Sequence, residues 1–157
     1  MKHNKAQELE VLEWLNTKQD ISLEKLKGKI VLIYVFQMLC PACVAHSIPQ
    51  SKKLFKRFLN EDIVILGLHS VFEHHDVMSP KALKVFVDEN DIGFPIAIDL
   101  SVEKDFMPAT MKKYNMQGTP TLLIIDKESK IRMHAFGLVN DLDIGLLLGK
   151  LLEEKKD

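Results

Sequence analysis

Both cysteines of this chain lie in one tetrapeptide, Cys40-Pro41-Ala42-Cys43. With no other thiol to pair with, they form one intrachain dithiol or disulfide. The apolar run Ile30-Val31-Leu32-Ile33-Tyr34-Val35-Phe36 precedes them and reads as a buried strand. The stretch that follows, to Leu59, reads as a helix with a kink at Pro49. A C-x-x-C at a strand-to-helix junction marks a thiol–disulfide redox site. A helix N-terminus carries unpaired N–H groups and a partial positive charge, and both favour a thiolate over a thiol.

The remaining pattern alternates in the same way. Leu9, Leu12 and Leu15, with Val11 and Trp14, suggest a short amphipathic helix at the start, and Ser22 to Leu26 one helical turn closed by Gly28. Ile63 to Leu68 reads as a second buried strand. Ser79-Pro80 reads as N-cap and first residue of a helix to about Asn90. Phe94 to Asp99 reads as a short strand, and Phe106 to Tyr114 as a helix. Thr121–Asp126 and Ile131–Phe136 form a hairpin pattern, and a last helix is expected from Asp141 to Glu153. Apolar strands alternating with helices, closed by a hairpin, predict an α/β fold. Its central sheet is mixed, with helices on both faces. No repeat or linker divides residues 1–157, so a single domain is expected.

Composition narrows the function classes. A net charge of −1 gives no electrostatic case for a nucleic acid or an anionic membrane as partner. No apolar stretch approaches the length of a membrane span. Met1 to Glu8 starts basic, turns acidic at once and lacks the apolar core of a signal peptide. Low cysteine use agrees with a reducing compartment, so a cytoplasmic location is expected.

With Cys40 at N-cap, Pro41 at N1 and Cys43 at N3, the Cys40 sulfur takes the place of a capping oxygen and faces the first-turn N–H groups. That makes Cys40 the expected nucleophile. Cys43, inside the turn, is then the thiol that resolves the mixed disulfide. Two other readings of the pair exist: buried cysteines without chemistry, and a zinc site drawn from Cys40, Cys43, His46 and His69. The zinc reading lacks the paired-histidine spacing of a knuckle, and no metal or other cofactor is expected.

Together with Gly118-Thr119-Pro120 before the strand at Thr121, these features resemble a thioredoxin-fold redoxin. The chain is similar to the TlpA/ResA-like thiol–disulfide oxidoreductases and their AhpC/TSA relatives. Ser22 to Lys29, Cys40 to Cys43, Phe94-Pro95 with Asp99, and Gly118 to Pro120 carry the likeness over nearly the whole chain. The run Phe36 to His46, with Gly67-Leu68-His69 and Val71 to His75, resembles a bacterial subgroup described as TlpA-like or peroxiredoxin-like. The resemblance implies a thioredoxin-like fold and a cis Thr119–Pro120 bond beside Cys40, where Thr119 and Pro120 meet the backbone of a substrate polypeptide. It also marks departures. Leu39 replaces the usual tryptophan, Tyr34 stands where thioredoxin has a buried acid, and His46 stands where TlpA-like members commonly have a glutamate.

His46 follows Cys43 by three residues, one α-helical turn, and is expected to take that thiol's proton. Tyr34, His69 at the end of its strand, and Glu73 in a polar loop with His74, His75 and Asp76 are candidates to stand around the thiols. The expected function is thiol–disulfide exchange with a protein dithiol or disulfide, served by an unidentified reductant or oxidant. A thiol peroxidase is the first alternative. However, the peroxiredoxin pattern P-x-x-x-[TS]-x-x-C meets Ile33 and Gln37 where it needs its proline and hydroxyl. A metal carrier or redox-sensing binding protein using the same thiols is the second.

Overall fold

A computed structural model gives the fold of residues 3–155; residues 1–2 and 156–157, which the single-domain reading included, lie outside the described residues. The elements in chain order are β1 (Val11–Leu15), β2 (Ile30–Phe36), a π-helical turn (Cys43–Ser47) running into α1 (Ile48–Arg57), and β3 (Ile63–His69). They continue with α2 (Pro80–Glu89), β4 (Ile96–Asp99), α3 (Ala109–Lys113), β5 (Thr121–Ile125), β6 (Ile131–Phe136) and α4 (Asp141–Glu153).

The sheet has six strands in the order β1-β4-β3-β2-β5-β6. β2, β3 and β4 run parallel, and β1, β5 and β6 pair antiparallel with their neighbours. β2 is buried at every position because it has neighbours on both edges and packing on both faces. Ile30, Leu32, Tyr34 and Phe36 point to the face covered by α1, α2 and α4. Val31, Ile33 and Val35 point to the other face, under α3 and the Leu23 segment. Burying each such side chain contributes about 1.5–3 kcal/mol. The mixed sheet with helices on both faces is the one expected.

The start of the chain differs from expectation. Val11–Leu15 is an edge strand, with Trp14 opposite Ala97 and Leu15 opposite Ile96. Trp14 joins the core on one face and Leu15 the core on the other, which is the alternation of a strand. So short a helix gains little by itself, whereas the open edge of β4 offers a ladder of hydrogen bonds. Ser22 to Leu26 forms hydrogen-bonded turns rather than a helix, with the Leu26 N–H on the Leu23 carbonyl at 3.1 Å. The helix expected from Phe106 begins only at Ala109. Pro108 disfavours the helical conformation at Met107, and the buried Asp99 carboxylate accepts the N–H groups of Thr110 and Met111 at 2.8 and 3.0 Å.

Candidate active site

β2 ends at Phe36, and the chain turns through Gln37, Met38 and Leu39 into the helix that carries the cysteines. The turn is closed by the Cys40 N–H on the Gln37 carbonyl at 3.0 Å. The Cys40 carbonyl accepts the Val44 N–H at 3.0 Å and its sulfur accepts the Cys43 N–H at 3.3 Å. Cys40 is therefore the N-cap residue, with sulfur in place of the usual oxygen. Pro49 has no N–H to give the Ala45 carbonyl, and its ring would crowd that carbonyl in a regular helix. The widened π turn over Cys43–Ser47, where the Ile48 N–H bonds the Cys43 carbonyl, relieves the crowding. The kink expected at Pro49 thus takes the form of a π-bulge one turn earlier.

Both cysteines are free thiols, with sulfurs 2.6 Å apart. They differ in access. Cys40 is 9% exposed at the rim, beside the exposed Leu39 and Val44, and Cys43 is 0% exposed. Burial, followed by the hydrogen bond with Cys40, pushes the Cys43 thiol up to about 12. Bonds from the Gln37 backbone and from Thr119 act against that rise.

The Thr119–Pro120 peptide bond is cis and lies beside the thiols. The Thr119 carbonyl accepts the Cys40 S–H at 3.7 Å. The loop is anchored by the Thr121 hydroxyl on the Gly118 carbonyl at 2.7 Å and by the Gly137 N–H on the Pro120 carbonyl at 2.8 Å. Gly118 has φ of 154°, and a Cβ there would lie 3.2 Å from the Phe136 ring and 3.8 Å from Phe72. Glycine lets this backbone lie between those two rings.

The other expected residues fall in different places. His69 is buried, and its Nε2 accepts the Met38 N–H at 3.1 Å. Burial pulls its pKa down to about 4, so it is a neutral acceptor that holds the turn before Cys40. Glu73 accepts from Gln37 Nε2 at 3.3 Å. The Tyr34 hydroxyl donates to Gln50 Oε1 at 3.0 Å, and Gln50 Nε2 donates to the Val139 carbonyl and to Asp141. Burial, then the charge of Asp141, pushes the Tyr34 phenol upward, so it stays protonated and ties β2 to α1 and the start of α4.

His46 is the exception. It is exposed, Cys43 is not, and no hydrogen bond joins them among the described residues. The π turn is the cause: its wider pitch rotates a residue three positions on away from the face it would share in an α-helix. A true general base is worth about 10²- to 10⁴-fold, so His46→Ala is expected to leave Cys43's attack on a mixed disulfide within about twofold between pH 6 and 8. Stopped-flow resolution kinetics check this, and a tenfold loss would restore His46 to the site. Nor do the four residues drawn as a zinc site converge, since His69 is spent on Met38. No cluster of three or more metal-ligating side chains occurs among the described residues.

Sequence reasoning missed Gln37, Gln50 and the Phe72–Phe136 pair. Gln37 had a signal: an amide at the end of a wholly apolar strand, three residues before the first cysteine of a C-x-x-C pair.

Comparison with known proteins agrees with this geometry. A thioredoxin-like superfamily protein, SPOA0173, superposes with a TM-score of 0.94 at 44% identity, covering 98% of this chain and 99% of that one. A thiol-disulfide isomerase from Corynebacterium glutamicum superposes with a TM-score of 0.92 at 48% identity, covering 98% of each. The thiol-disulfide oxidoreductase ResA of Bacillus thuringiensis subsp. konkukian is 29% identical over 71% of this chain, which spans only 57% of that relative. The sequence model of the AhpC/TSA family matches residues 3–134. The chain belongs to the AhpC/TSA family and has the thioredoxin-like fold.

Proposed function

We propose that this protein is a thiol–disulfide oxidoreductase that exchanges disulfides with a protein substrate through Cys40 and Cys43. The observation that carries the reading is the asymmetry of the pair. One sulfur is capped by an N–H at the rim of a cis-proline loop, and a fully buried one lies 2.6 Å behind it. The Cys40 thiolate attacks a substrate disulfide, a Cys40–substrate bond forms, and one substrate thiolate leaves. Cys43 then gives up its proton and attacks the Cys40 sulfur. The Cys40–Cys43 bond forms, the second substrate thiolate leaves, and two electrons have passed to the substrate. The reverse sequence oxidises a substrate dithiol. Thr119 and Pro120 are the proposed contacts for the substrate backbone. The names of the solved isomerase and of ResA support the same chemistry.

Cys43→Ser tests this directly. Serine is nearly isosteric, but its hydroxyl is far too weakly acidic to expel the substrate thiolate. Discrete reducible protein adducts are expected from a lysate with Cys43→Ser and few with Cys40→Ser, read on non-reducing gels. Absence of adducts together with rapid peroxide turnover would make the protein a peroxidase, and absence of adducts with tightly held metal would make it a carrier. The proposed compartment is the cytoplasm, because both cysteines serve the site and none staples the fold. No helix among the described residues is long and apolar enough to cross a membrane.

A further inference from the structure

We propose that Gln37 is a positioning residue for the resolving step: its side chain, clamped between the Phe72 N–H and the Glu73 carboxylate, holds the turn from Gln37 to Cys40 against Cys43. The proposal rests on the thiol–disulfide exchange described above and names the device that regulates its second half.

Gln37 is 1% exposed, and a buried amide has to find partners for both ends. Its Oε1 accepts the Phe72 N–H at 3.1 Å, and its Nε2 donates to Glu73 Oε1 at 3.3 Å. Its main-chain carbonyl accepts the Cys40 N–H at 3.0 Å, and the Cys40 sulfur lies 2.6 Å from that of Cys43. One residue therefore holds Cys40 through its backbone and a separate loop through its side chain. The Phe36 carbonyl with the Ser70 N–H and the Met38 N–H with His69 add two more bonds between the same two segments. Those two lie deep and are closed off by the sheet. The Gln37 clamp differs because its far end, Glu73, is exposed. Phe72, beside it, packs towards Gly118 in the cis-proline loop. The loop that holds Gln37 thus borders the place where a substrate would lie.

The two chemical steps depend on this clamp unequally. The Cys40 sulfur draws on the helix terminus through the Cys43 N–H, which the clamp does not supply. Cys43 is fully buried, so its attack requires the Cys40 sulfur to be held where it now lies, 2.6 Å away. Releasing the Gln37 side chain lets the turn drift and carries the Cys40 sulfur away from Cys43, whereas a small disulfide arriving from solution still reaches Cys40.

Ellman's reagent separates the two steps without any protein substrate. Cys40 attacks the aromatic disulfide and releases one thionitrobenzoate. Cys43 then attacks the Cys40 sulfur and releases the second, leaving the protein disulfide and two reduced aromatic thiolates. Gln37→Leu is expected to slow the second release about tenfold at neutral pH, as fits the loss of a buried hydrogen bond, and the first by less than about twofold. Glu73→Ala, at an exposed position, is expected to fold normally and slow the second release about threefold; Glu73→Gln keeps the acceptor and should match wild type. Wild-type second-phase rates in both Gln37→Leu and Glu73→Ala would overturn the proposal. So would equal slowing of both phases in Gln37→Leu with a wild-type rate in Glu73→Ala, which is the mark of a merely structural residue. Because the probe is a small disulfide, failure to trap a protein on Cys43→Ser would refute the substrate reading while leaving this result standing.

Discussion

Between about pH 6 and pH 9, attack by Cys43 on a mixed disulfide at Cys40 should accelerate by about a thousandfold, without a plateau. Only the thiolate attacks, and burial has pushed the Cys43 thiol up to about 12. Below that value the thiolate fraction gains tenfold for each pH unit. Moving a thiol from its ordinary 9.0 to about 12 removes about a thousandfold of its thiolate at neutral pH. The more basic thiolate is also the better nucleophile, and with a Brønsted coefficient of about 0.4–0.5 it regains about 15- to 30-fold of that loss. The population effect wins, so resolution is slow at neutral pH and its steep slope survives. The hydrogen bond that the Cys43 S–H donates to Cys40 weakens once Cys40 is tied to substrate, but burial, the larger cause, remains. Rates of the second thionitrobenzoate release across this range give the slope. A plateau near neutral pH would show that another group takes the proton, and would sink the reading that no side chain serves Cys43 as base.

That result would separate what the sequence carried from what it did not. The N-cap position of Cys40 was legible because capping is local: a proline one residue on, a strand behind and a helix ahead leave few other geometries. The same holds for the Ser79 cap of α2, which accepts the Ala82 N–H at 3.2 Å, and for the span of α4. His46 went astray because its placement depends on helix pitch. The local spacing assumed an α turn, whereas Pro49, three residues further on, forces a π turn. β1 went astray for a different reason. Its residues suit either a helix or a strand, and the choice is made by the free edge of β4, far along the chain. The role of Gln37 is equally non-local, since its partners Phe72 and Glu73 belong to a loop after the next strand. Local rules found the capping thiol, whereas tertiary contacts assembled the groups around the buried thiol behind it.

The largest loss of stability is expected from Gly67→Val, and it should reach the site through the sheet. Gly67 lies in β3 between β2 and β4, opposite Tyr34 on one side and Ile96 on the other. A Cβ added there would stand 3.1 Å from Ile96 Cγ1, 3.2 Å from Phe94 Cε2 and 3.3 Å from Phe36 Cε1. Each distance is too short for carbon–carbon contact, which is best at about 3.5–4.0 Å. Valine is favoured over glycine in a strand by up to about 1 kcal/mol. Two further methyl groups in a space already too small for one carbon cost more than that, about 3–4 kcal/mol, for a net loss of about 2–3 kcal/mol. In a domain of this size that lowers the melting temperature by about 4–12 °C. Gly67→Ala should fall between the two proteins, because its neighbours need to yield by only a few tenths of an ångström. The strain has a defined route onward. Phe36 is paired in register with His69, their rings lie 5.1 Å apart, and His69 holds the Met38 N–H. Pushing Phe36 aside therefore loosens the turn that presents Cys40. Thermal unfolding and the two phases of thionitrobenzoate release, measured on the same samples, read both ends of this chain of contacts. A valine variant as stable as wild type would show that the space around Gly67 is not closed. A destabilised variant with unchanged kinetics would show that β3 does not hold the cysteine turn in place.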